Sequence, residues 1–313
     1  MSLWEIFRFE IGQQARRVLT WLYFAVLLAL AYTLATAGSV SDARNTGHFL
    51  NAPFVIATVT LLGSMLGLFL TTGLAGDAAA RDAQTRMHPL LYTTPLGKAA
   101  YLGGRFLAAF VLNATLLLAV PAGILLGTLL PRAEPELVGP FQAAPYLVAY
   151  LLLALPNAFV ATALPFSLAA LGRRAMASYL GSVLLLLATL LSWQLLAGQL
   201  GWWGLAKLLD PFGLTVMAEL SRLWTAAEKD TLSIAAHPAL LANRLLWIGI
   251  AHQSFDLTGA AGPLDPRRSG RRAAPAREQP GVSVLRRHRR RRRRPPPTPG
   301  RPPGACGRRG RSP

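Results

Sequence analysis

The chain has 313 residues, 52% of them hydrophobic and 15% charged, with a mean hydropathy of +0.37. That is too apolar for an ordinary soluble domain of this length. The formal net charge of +18 is uneven: residues 253–313 hold 17 Arg, no Lys and three acids, and the remaining 252 residues carry a net charge of only +4. The lone Cys306 excludes a disulfide framework and a cysteine metal site.

Residues 1–17 predict a helix lying in the headgroup region, with Leu3, Trp4, Phe7 and Ile11 on one stripe and Arg8, Gln13, Arg16 and Arg17 off it. Five windows without a charged residue follow, at 18–38, 54–76, 106–130, 145–171 and 179–200. Each has 21 to 27 residues, against the roughly 20 that cross the hydrocarbon core as a helix. Backbone polar groups cannot stay unpaired in lipid, so the runs predict helices. The first is expected to be retained rather than cleaved, because Glu5 and Glu10 dilute the basic stretch that a signal peptide needs.

Lys and Arg in the short connections set the orientation. Arg8, Arg16, Arg17, Arg81, Arg86, Lys98, Arg105, Arg173 and Arg174 fall on one side; the alternate loops offer Arg44 and Arg132. The N-terminus and the connector 77–105 are therefore expected on the cytoplasmic side. Within that connector, Asp82 and Arg86 stand at i, i+4 with the acid first, which supports a short helix. Pro89 breaks it at His88, and Thr94 with Pro95 forms an N-cap followed by proline at the first helical position. The pattern describes a stiff element clamped between two spans.

Asn113, Asn157 and Gln194 are the polar groups expected to serve a pathway or helix packing, and Pro121, Pro156 and Pro165 to kink their helices. An outer segment, 201–238, contains the LDPFG turn signal at 209–213. A sixth apolar run, 239–251, has thirteen residues including Arg244 and is too short to span. Residues 253–313 read as a disordered basic tail of Arg, Pro, Gly and Ala without periodicity. Those residues share GC-rich codons, so a frame slip in GC-rich DNA would write this composition; the alternatives are a native basic tail that grips anionic lipid headgroups or binds nucleic acid through counterion release, with no specific nucleic-acid partner expected. The fold class is all-α: a polytopic membrane helix bundle with five complete spans, a truncated sixth and that tail.

Enzyme chemistry finds no support in the motifs. HExxH, GxSxG and the phosphate-binding GxxxxGK[ST] are absent, and the five histidines are scattered. The charge-free windows also lack the acids and lysines of a proton relay, so transport would need an external energy source.

The connector residues Arg81-Asp82, Thr85, Leu90-Leu91, Thr93-Thr94-Pro95-Leu96, Lys98 and Gly103-Gly104-Arg105-Phe106 resemble the first cytoplasmic connector of permeases of the ABC transporter superfamily, in the six-span second exporter class. Met87 and His88 stand where that class often has an acidic residue. LLDPFG at 208–213, RLWTAAEKDTL at 222–232 and NRLLW at 243–247 extend the likeness to permeases fused to a zinc aminopeptidase-like domain, whose HExxH this chain lacks. The resemblance covers about residues 1–250. It implies a permease subunit in a bacterial inner membrane, N-terminus cytoplasmic, whose connector docks on a separate ABC ATP-binding subunit. Arg81, Asp82, Arg86, Thr94, Pro95 and Lys98 are the implied docking residues. ATP and Mg would belong to that partner, with no cofactor or metal in this chain, and a second permease copy would complete the pathway in the lipid. The alternative is a membrane anchor or assembly protein that transports nothing.

Overall fold

The computed structural model describes residues 2–84, 97–130, 135–234 and 237–261. Among them the regular elements are all helical, with no strand. The first helix, α1 (Leu3–Ala15), starts at a capping box: the Ser2 hydroxyl accepts from Glu5 N, and the Glu5 carboxylate accepts from Ser2 N. Five helical stretches long and apolar enough to cross a membrane follow: α2 (Val18–Thr46), α3 (Pro53–Gln84, apolar over Pro53–Arg81), α4 (Ala99–Leu129), α5 (Ala143–Gly172) and α6 (Ala177–Gln199). The shortest has 23 residues and so covers about 34 Å. Three short helices, α7 (Trp203–Leu209), α8 (Leu214–Ser221) and α9 (Ala226–Thr231), lead into α10 (Pro238–Ala261).

The expected spans thus fall on helices, and the all-α membrane bundle is the observed class. α3 and α5 form its middle, packed on each other and on α4, α6 and α10; α2 and α6 are the least enclosed of the five spans. Small residues set the closest approaches. A Cβ on Gly63 would lie 2.9 Å from Val120 of α4, and one on Gly67 would lie 3.1 Å from Leu27 of α2. The Gly-x-x-x-Gly pair of α3 is therefore used within the chain. Prolines leave local marks. A π-helical turn, Tyr150–Ala154, precedes Pro156, whose ring and missing N–H disturb the ladder one turn back.

One expectation needs correction. The sixth helix does not stop at His252: α10 continues to Ala261, 24 residues in all, so the tail boundary at 253 was set too early. Ala251, Phe255 and Thr258 recur at helical spacing and face inward, while His252, Gln253, Asp256 and Leu257 are exposed. Phe255 sits 4.7 Å from Phe106 and 6.2 Å from Phe166 between ring centroids, and Ser254 Oγ lies 3.3 Å from Ser167 Oγ. A scan for unbroken apolar runs misses this because only one face of the last turns is apolar.

The buried line of α1 is Ile6, Glu10 and Gln14, while Leu3 and Trp4 of the apolar stripe are exposed. A Cβ on Gly104 would meet Leu3 O and Ile6 Cβ at 2.9 Å, so α1 lies directly against the start of α4. The apolar stripe looks outward, where an interfacial helix would present it. The connector residues Arg86, Thr94 and Pro95 and the arginine-rich tail lie outside the described residues.

Candidate functional site

Two arrangements draw on the polar residues of the bundle, one at the end where the connector joins α3 to α4 and one at mid-span, against α5 and α6. At the connector end, Glu10 is buried, with Oε1 2.9 Å from Arg105 Nε and Oε2 3.2 Å from Arg81 Nη1. Arg81 Nη2 donates to Asp77 Oδ2 at 3.0 Å, and Arg17 Nη1 reaches the same oxygen at 2.7 Å. Gln13 Oε1 accepts from Arg81 Nη1 at 2.6 Å. The Arg105 guanidinium lies 4.8 Å from the centroid of the Tyr101 ring. The result is a chain of alternating charges running Arg17, Asp77, Arg81, Glu10, Arg105, and it ties α1 to both helices that flank the connector.

Local sequence explains the geometry. Asp77 and Arg81 are one turn apart on α3, so they pair on one face. Ile6, Glu10 and Gln14 are successive turns of α1, which points Glu10 at the gap between α3 and α4. Of the docking residues expected from the sequence, Arg81 is turned inward and its side chain is 17% exposed. Asp82 and Lys98 close the described helices on either side of the connector, but their side chains lie outside the described residues. Glu10 and Asp77 had been missed. Asp77 offered a signal, as an acid one turn from Arg81 at the end of an apolar helix, whereas Glu10 is one of several polar residues on α1.

Asn113 and Asn157 are both buried in interhelical bonds. Asn113 Nδ2 donates to Ala158 O at 3.2 Å and Thr162 Oγ1 at 3.0 Å. Asn157 Oδ1 accepts from Arg244 Nη1 at 2.5 Å. The same guanidinium donates through Nη2 to Phe212 O at 2.5 Å and through Nη1 to Pro211 O at 3.3 Å. Asp210 organises that turn, accepting from Phe212 N at 3.0 Å, Thr215 N at 2.7 Å and Thr189 Oγ1 at 3.1 Å. Asn243 Nδ2 donates to Asp210 O at 2.8 Å and Lys207 O at 2.7 Å. The 209–213 turn and the 243–247 segment, far apart in sequence, thus form one buried cluster against the middle of α5 and α6.

Gln194 stands apart from the two asparagines. It lines a cleft of about 550 Å³ between α3, the last turns of α6 and α8. That volume falls in the ordinary range for small-molecule pockets. The cleft runs along α3 from Phe54 to Met65, which is about 16 Å at the helical rise. Its α6 wall becomes π-helical over Ser192–Gln199, a geometry frequent at functional sites. Among the described residues no group of three or more His, Cys, Asp or Glu side chains could hold a metal ion.

In comparisons with known proteins, the chain matches no protein-family model and no curated protein.

Proposed function

We propose that the chain is the membrane-spanning permease subunit of an ATP-driven exporter of the ABC superfamily, resident in a bacterial inner membrane. The observation that carries the reading is the Glu10 network. A single buried carboxylate joins α1 to Arg81 on the helix before the connector and Arg105 on the helix after it. A push delivered to the connector would therefore move α1, α3 and α4 together. In this reading an ATP-binding subunit holding ATP and Mg seats on residues 82–98, and a second permease copy faces the first across the pathway.

Tagged chain, purified in detergent from membranes of its host, tests the reading. An ATP-binding-cassette subunit at near-equal amount, lost in the Arg86→Glu/Lys98→Glu double variant, is the expected outcome. Inserted chain that brings down no ATPase, or keeps it undiminished in the double variant, refutes the coupling assignment and leaves an anchor as the better account.

A further inference from the structure

The cleft beside α6 carries an inference about its occupant. Its walls are almost wholly apolar: Leu62, Met65, Leu190, Trp193, Leu214 and Met217 supply most of the surface. No charged side chain lines it among the described residues. A charged ligand would lose its hydration there without a counter-charge, so the occupant must be neutral. Anions face a further penalty. Behind the Thr189 hydroxyl, which lines the cleft, Asp210 Oδ1 lies at 3.1 Å.

The polar groups that remain define a complementary head. Three hydroxyls line the cleft, and each donates its proton inward: Thr58 to Phe54 O at 2.9 Å, Ser221 to Met217 O at 2.8 Å, and Thr189 to Leu185 O at 3.2 Å or to Asp210. They offer a ligand only lone pairs. Among the described residues, the cleft-lining donors without an acceptor are the Gln194 carboxamide and the Trp193 indole N–H, on consecutive residues of the π-helical wall. Two free donors on an apolar wall call for a carbonyl oxygen on the ligand. The Gln194 oxygen and the hydroxyl lone pairs can accept from an adjoining N–H.

We infer that this cleft binds an uncharged amphiphile: an apolar chain or ring body carrying an amide- or ester-type carbonyl, its head at Gln194 and its body directed toward Met65. As a substrate assignment this rests on the exporter reading; as a binding site it stands without it. Two soft methionine side chains, Met65 and Met217, suit a body of variable shape.

The test uses the purified chain in phosphatidylcholine nanodiscs, without an ATPase, so its outcome is independent of the partner experiment. The probe is a long-chain primary amide bearing a diazirine on its hydrocarbon, cross-linked by light and located by mass spectrometry. Cross-links are expected within 54–65 and 189–194, with labelling reduced about five- to tenfold in Gln194→Leu and lowered when Met65→Trp narrows the cleft beside the body. Unlabelled amide should displace the probe, whereas the matching carboxylate should compete at least about tenfold less well. Labelling unchanged in both variants, labelling spread along the lipid-facing surfaces, or equal competition by the carboxylate would each overturn the site. Either variant counts only if its helicity and elution match those of the wild type; Met65→Trp removes no polar group and so keeps the test open should Gln194→Leu misfold.

Discussion

Glu10 Oε1 and Arg105 Nε meet at 2.9 Å with side chains only 2% and 6% exposed. The pair joins an N-terminal helix to the helix that follows the connector. Removing one partner of a buried ion pair leaves an unpaired charge in a poorly solvated place, at a cost of about 3–5 kcal/mol. Glu10→Ala also removes one partner of Arg81, which keeps Asp77 and Gln13. We therefore expect Glu10→Ala to lower stability by about 3 kcal/mol. Asp77→Asn should cost less, about 1 kcal/mol, because Asp77 and Arg17 are 29% and 39% exposed, so their pairing is screened, and Arg81 keeps Glu10 and Gln13. Thermal unfolding of both variants in the same detergent checks the order; equal losses would contradict it.

The left-handed glycines of segment 201–238 supply an internal control. Gly213 (φ +81°) and Gly201 (φ +68°) both adopt a conformation that costs an L-residue about 1–2 kcal/mol. A Cβ at Gly201 would meet nothing within 4 Å, whereas one at Gly213 would fall on the Arg244 guanidinium. Gly201→Ala should therefore show only the conformational cost. Gly213→Ala adds displacement of Arg244 from Asn157 and Phe212, and its unfolding midpoint should fall at least twice as far.

How far the sequence spoke depends on the range of each interaction. The five spans were legible because a membrane crossing is written into one unbroken window. Arg81 and Asp77 were within reach of an i, i+4 reading, but the partners of Glu10 lie on two other helices, and no local pattern names them. The 209–213 turn and the 243–247 segment were each noticed, yet only the fold shows Arg244 closing on the carbonyls of that turn. The polarity of Gln194 was visible. That it lines a cleft while Asn113 and Asn157 are bonded between helices depends on three-dimensional packing.

The end of α10 gives a prediction about packing. Phe255 belongs to a ring cluster with Phe106 and Phe166, while Leu257, two residues on, is 63% exposed. Phe255→Ala should cost about 1–3 kcal/mol, below the full core value because the ring is only half-buried. Leu257→Ala should stay within about 0.5 kcal/mol. Comparable losses from both would mean that the helix beyond His252 does not pack as described.

His48 makes the chain sensitive to acid at the end remote from the connector. Its side chain is fully enclosed, with Nδ1 2.5 Å from Thr46 Oγ1 and its ring edge-on to Phe54 at 5.7 Å between centroids. Burial holds the imidazole below its ordinary value of 6.5, and Lys229 pushes the same way; Asp42, whose Oδ2 lies 3.8 Å from Nε2, and Asp230 oppose without prevailing. The sign follows from linkage. Between the lowered folded value and the unfolded value near 6.5, the unfolded chain binds the extra proton, so stability rises with pH across that interval. The full contribution is present above about pH 6.5 and is lost as pH falls below it. Unfolding midpoints measured in detergent between pH 5 and 7.5 should therefore drop on the acid side, and His48→Gln should remove much of that drop. A wild-type profile flat across that range, or an acid drop kept whole in His48→Gln, would show that the buried imidazole is not the group that responds.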